Sequence, residues 1–317
     1  MKRISPVFLI FFIFCCKVAT LAQQDQLRYV YPSMPLSINP AYAGSRETIN
    51  ITSIYRRRPL FTAPALAASI ATQQYVSFDM PTQNNKMGYG FQAFNANNGN
   101  IINLDGSLKG LLGLNGNIAY RVLNNKNEFV SLGGQLGLTQ IPNLLGSSTS
   151  TSGNIFKSNM SLGLLYQRNG KFSSGVSFIN VFSGDEFCKP IILQASYLFD
   201  IYNNIKLKAG VVLNYQDKYN EDNLKVDFNG TLWFNEKVGL GFNYLNSGSE
   251  INRKAMIASI DGQISRKLRL GYNYDFCSNM AVSQNTNNNI TIGGFHQIVF
   301  KIDLDAKNGK FGNFKYF

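Results

Sequence analysis

The sequence predicts an all-β fold: an antiparallel, up-and-down transmembrane outer-membrane β-barrel of about 14 strands. Three observations predict it. From Thr48 onward, segments of about ten residues alternate an apolar face with a polar or tiny one. The connections alternate too, short turns on one rim and longer polar loops on the other. Beyond the first 22 residues no apolar run approaches the ~20 residues of a membrane helix, yet Phe and Tyr together number 40.

The elements follow in order. Residues 1–22 read as a cleaved signal peptide. Lys2 and Arg3 are its positive start, "VFLIFFIF" its apolar core, and Ala19, Thr20 and Ala22 its small-residue site before Gln23. Cys15 and Cys16 do not make a lipoprotein signal, because Phe14 stands where a small residue is needed. Residues 23–47 form an N-terminal lead-in or plug segment, residues 48–304 the barrel, and residues 305–317 a periplasmic tail.

Within the barrel, "LLGLNGNIAYRV" sets Leu112, Leu114, Ile118, Tyr120 and Val122 against Gly113, Asn115, Asn117, Ala119 and Arg121. "KLRLGYNYDF" sets Leu268, Leu270, Tyr272, Tyr274 and Phe276 against Arg269, Gly271, Asn273 and Asp275. Successive strand side chains point to opposite faces, so each segment has one oily side and one wet or empty side. A soluble sandwich alternates as well; the loop lengths favour the barrel. "LNNKNE", "QRNGK", "DIYNN", "NEK" and "SRK" are short turns, whereas 140–157, 183–189, 216–223, 246–253 and 277–294 are long loops. Short periplasmic turns and an even strand count belong to outer-membrane barrels. Aromatic residues near strand ends, among them Tyr120, Tyr166, Phe199 and Phe276, suit interface girdles.

Charge and chemistry exclude more than they assign. Without Lys2, Arg3 and Lys17 the formal charge falls from +12 to +9. Export argues against nucleic acid as the partner, and the one dense run, "YRRRP" (55–59), reads as a solvated turn or a rim facing anionic lipid. Cys188 and Cys277 allow one disulfide or two free thiols. His296 is the single histidine, with no G-x-S-x-G for a triad. A zinc site lacks ligands, and the carboxylates are scattered. Gly88 and Gly90, on one strand face in "GYGFQAFNANNG", make room for a neighbour rather than cradle phosphate. The reading is a non-enzyme with no catalytic residue, cofactor or metal.

The mature chain opens with "PLSINPAYAGSRE" and "IYRRRPLFTAPA" and closes with "KLRLGYNYDF", "FHQIVFKIDL" and "FKYF". It resembles the PorP/SprF family, outer-membrane proteins of the type IX secretion system of the Bacteroidetes. Asn39, Pro40, Ala41, Tyr42, Ala43 and Gly44 match that family's most recognisable phrase. With Arg46 and Arg56, these residues are the candidate plug or partner contacts. The resemblance implies a role in type IX export and in gliding motility. The implied partners are a secreted surface protein or adhesin, recognised by its C-terminal secretion domain, and other components of the machine.

The phrase also has its own physics. Asn39 precedes proline and is biased to extended backbone. Gly44 permits a turn into the first strand. Such a segment either folds into or beneath the barrel mouth with Tyr42 as anchor, or is a lead-in that sets the register of strand one. A channel or transporter for small or hydrophobic solutes is the alternative function.

Overall fold

The computed structural model describes residues 30–61, 70–102, 108–125, 127–142, 154–184, 187, 189–216, 224–246, 255–276, 279–282, 289–292 and 294–304. The expected signal peptide (1–22), Cys188, Cys277 and the expected tail (305–317) lie outside them.

The strands are β1 (Ile49–Phe61), β2 (Ile70–Pro81), β3 (Met87–Ile102), β4 (Leu108–Asn124), β5 (Glu128–Pro142), β6 (Asn154–Arg168), β7 (Phe172–Phe178) and β8 (Ile191–Tyr202). They continue as β9 (Ile205–Tyr215), β10 (Leu224–Phe234), β11 (Val238–Leu245), β12 (Ala255–Gln263), β13 (Leu268–Asp275), β14 (Asn279–Val282), β15 (Asn289–Ile292) and β16 (His296–Leu304). Each of β1 to β12 pairs antiparallel with the next, and β16 lies between β13 and β1. Ile54 of β1 stands opposite Tyr75 on one side and Val299 on the other, so the ring closes. The barrel therefore has 14 strands, and closure leaves no sheet edge to lipid.

The loop 277–294, expected to be irregular, carries a small hairpin instead. β14 pairs with β15, and Thr291 and Ile292 of β15 pair with Phe61 and Leu60 at the far end of β1. "NMAV" and "NITI" are too short to register as membrane strands, but β1 offers them a free edge above the barrel wall. "YRRRP" is a second correction. It is not a turn: it continues β1, and the period of two sends Arg56 into the lumen, where it is buried, and Arg57 outward, opposite His296 at the start of β16.

The two faces are inverted relative to a soluble protein. On β4, Leu112, Leu114, Ile118 and Tyr120 are exposed on the outside, whereas Asn115, Asn117 and Arg121 are buried within. In water the outer face would be a liability; in a bilayer it is the solvated one. The short turns gather at the rim where β1 begins, which is the periplasmic rim of such barrels.

Candidate functional site in the barrel lumen

What buries the polar lumen is the chain's own start. Residues 30–47 run through the bore in two 3-10 turns, Pro35–Ser37 and Pro40–Tyr42, before entering β1. The local chemistry accounts for the path. Asn39 is extended (φ −152°, ψ 113°), as its following proline requires, and its side chain caps the second turn by accepting from the Ala41 amide at 2.9 Å. Gly44 turns the chain at φ +65°.

The segment meets strands on every side of the bore, most densely β4, β5 and β6. Nearest the periplasmic rim, Arg121 donates to Glu47 at 2.8 Å and to the Gly44 carbonyl at 3.1 Å, and its guanidinium lies over the Phe129 ring. The Gly44 amide donates to Asp79 at 3.3 Å. Higher up, Tyr42 shares a hydrogen bond with Ser173 (3.2 Å), Asn39 donates to the Leu164 carbonyl (3.1 Å), and Ser177 donates to the Ile38 carbonyl (2.5 Å). Burial pushes the Tyr42 phenol above its ordinary range; the Ser173 hydrogen bond and Arg46 pull more weakly the other way. The hydroxyl is therefore neutral at any physiological pH.

Apolar contacts seal the fit. Ala41 packs with Phe129 and Leu165, Leu36 and Ala43 with Ala119, and Tyr42 lies against both groups. Farther from the periplasmic rim, Val30 and Met34 pack on Ile54, Tyr75, Phe94 and Leu111, while Tyr31 and Ile38 pack on Ile192, Val212, Leu245 and Ile257.

The barrel wall is cut to receive this segment. A β-carbon on Gly88 would run into the Ala43 carbonyl, one on Gly133 into the Ala41 amide, and one on Gly163 or Gly175 into the Asn39 side chain. These are lumen-facing glycines on β3, β5, β6 and β7. They allow backbone-to-backbone approach where any side chain would hold the segment off.

Of the residues singled out in the sequence, Asn39 to Gly44 and Arg46 thus lie together in the lumen. Arg46 reaches Asp303 of β16 at 4.0 Å. Arg56 stands apart on β1, donating to Gln73 at 3.1 Å and stacking on Phe295. Sequence reasoning missed Arg121, Asp79, Ser173 and Ser177. Only their period-two placement on the polar face could have suggested them.

The family model for "type IX secretion system membrane protein PorP/SprF" matches residues 20–302. The chain belongs to this family. Among solved structures, the PorP/SprF barrel is similar to the TodX toluene transporter of Pseudomonas putida. Identity is 8%, coverage is 91% of this chain and 95% of that one, and the TM-score is 0.50. A "TodX deltaS2S3 mutant monoaromatic hydrocarbon channel" aligns at 10% identity, 84% and 93% coverage and a TM-score of 0.52. A FadL homologue of Pseudomonas aeruginosa aligns at 10% identity, 86% and 93% coverage and a TM-score of 0.49. At such identities these likenesses concern the fold alone. No curated protein matches the chain in sequence. Family and fold together make the PorP/SprF chain an outer-membrane β-barrel of the type IX secretion system.

Proposed function

We propose that this chain binds a secreted surface protein or adhesin, through that protein's C-terminal secretion domain, and supports its export or its attachment at the cell surface. It does so without catalysis and together with other components of the type IX machine; in gliding species this serves motility. The observation that carries the reading is the seat of residues 30–47. A barrel whose bore is occupied by its own chain is poorly built to pass solutes and leaves its rims and loops as working surfaces. In this reading Asn39, Pro40, Ala41, Tyr42, Ala43, Gly44 and Arg46 form the plug, and Arg56 braces the lumen beside it. Cross-linking in cells tests the proposal. A surface protein bearing a secretion C-terminal domain should be captured by the barrel and be lost from the surface when the barrel is deleted. Normal surface display in the deletion strain would overturn it.

A transporter of small hydrophobic solutes is the second reading. Part of the lumen wall on β9 to β12 is open to solvent, which favours it, as does the barrel likeness to proteins titled hydrocarbon channels or transporters. Steady conductance from the purified protein in planar bilayers, with surface display intact in the deletion strain, would select it.

A further inference from the structure

The plug does not fill the bore evenly, and what it leaves open has its own chemistry. On β9 to β12 the inward positions Lys208, Gly210, Thr231, Gly241, Ser259 and Asp261 are partly exposed. Above them, Tyr31, Ile38, Val212, Leu245 and Ile257 pack into an apolar roof. Below them, partly exposed Lys206 leads to the short-turn rim, where it pairs with Glu236 at 2.7 Å. These partly exposed positions mark a vestibule in the lumen beneath the apolar roof, bordered at the short-turn level by the buried Trp233 and Leu198.

Its walls are cationic. Arg269 on β13 and Lys301 on β16 are directly opposite in the antiparallel register, and both are buried. Like charges facing each other across a strand pair destabilise a sheet. The pair is nonetheless built in. Arg269 lies over the Trp233 ring at 4.6 Å and donates to Gln263 at 3.3 Å, which fixes its guanidinium. Lys208, Arg46 and Asp261 are close enough to act on the Lys301 ammonium, so three further charges share the space. Asp261, and Asp303 at 4.0 Å from Arg46, are carboxylates set against these four cations. The Ser259 hydroxyl lies over Gly241 and the Asp261 carboxylate over Gly271, so the two glycines seat these polar groups against the wall.

We propose that this vestibule binds an oxyanion, a phosphate or carboxylate group held by Lys208, Arg269 and Lys301. Arg269 supplies the preorganised planar fork and the lysines supply point charges. The anion relieves the repulsion between Arg269 and Lys301, so binding and barrel stability are linked.

The experiment uses the full mature barrel in detergent and follows its heat-modifiable unfolding on gels. Inorganic phosphate and succinate are titrated separately against sodium chloride of equal ionic strength. A saturable rise in the unfolding temperature with either supports the proposal, and the tighter of the two names the group. Lys301→Gln should raise stability in the absence of anion and weaken the anion effect by about tenfold or more, as for loss of one charge-assisted hydrogen bond. Lys208→Gln, at a partly exposed position, should weaken it similarly without disturbing the buried pair. Lys267→Gln removes the same charge in an exposed turn outside the vestibule and should change nothing. No saturable rise with either anion, or one that Lys208→Gln leaves intact, overturns the proposal.

Discussion

The two sides of the lumen solve the same problem differently. Along β1 to β7, where residues 30–47 pack most closely, inward side chains are buried, among them Thr52, Ile54, Gln92, Asn115, Ser161 and Ser173. Along β9 to β12 many of the inward side chains in the periplasmic half keep contact with solvent, and charge rather than packing distinguishes the wall. The first side is shaped by subtraction, with glycines removed to the backbone so that another backbone can lie against them. On the second, inward side chains beside the described residues 30–47 keep partial contact with solvent. A polar lumen is therefore not by itself a pore. Its small residues can mark a seat, and only the charged arc marks open space.

The largest expected effect comes from filling the seat. Gly133→Ala places a β-carbon onto the Ala41 and Pro40 backbone, which has no flexible end to yield. The loss should be about 4 kcal/mol or more, or expulsion of the segment. Gly241→Ala, on the open side, meets the Ser259 and Thr231 hydroxyls, which can rotate away, and should cost about 1 kcal/mol. Gly134→Ala, facing outward with nothing near it, should be neutral within about 0.5 kcal/mol. Heat-modifiability and protease access to the N-terminal segment measure all three. Equal effects of Gly133→Ala and Gly241→Ala would erase the distinction between the two sides.

Tyr42→Ala comes next. The ring lies between the Ala41–Phe129–Leu165 group and the Leu36–Ala43–Ala119 group, and its hydroxyl meets Ser173. Losing a packed aromatic costs about 3 kcal/mol. The strands close through their own hydrogen bonds, so the variant should reach the outer membrane in normal amount. There it should leak ions in planar bilayers and lose cargo attachment. Wild-type conductance and attachment would make the phrase a lead-in only.

How much of this was legible in the sequence depends on the distance over which each feature is encoded. Alternation is local, so the outward Leu112, Leu114 and Ile118 and the inward Asn115 and Asn117 could be read from one strand. The pre-proline Asn39 and the turn at Gly44 are local as well. Gly88 could be read as room for a neighbour, but not as room for Ala43, because the complement lies about 45 residues away in the sequence and is fixed only by barrel closure. Arg56 was obscured by its neighbours: three consecutive arginines look like a solvated cluster, although a strand must send alternate ones to opposite faces. The facing of Arg269 and Lys301 is set by the β13–β16 register, with the β14–β15 hairpin intervening in sequence, and no local pattern announces it.

The smallest effect tests how the packed side is held rather than whether it is. Asn39→Ala removes three interactions at once: the cap on the second 3-10 turn, the hydrogen bond to the Leu164 carbonyl, and the fill over Gly163 and Gly175. A lost cap costs about 1 kcal/mol and one neutral hydrogen bond about as much, so the total should be about 2 kcal/mol. That is less than the Tyr42 substitution, because Pro40 still presets the turn. Asn39→Asp separates the two polar roles. A carboxylate still accepts from the Ala41 amide, but it cannot donate to Leu164 and sets a negative charge against that carbonyl. If the cap dominates, Asn39→Asp should hold the segment better than Asn39→Ala; if the tether to β6 dominates, it should be the worse of the two. Hydrogen exchange at the Ala41 amide, compared with that at Tyr42, reads the turn directly. Full protection in both variants would mean that glycine-shaped packing alone holds residues 30–47 in the bore.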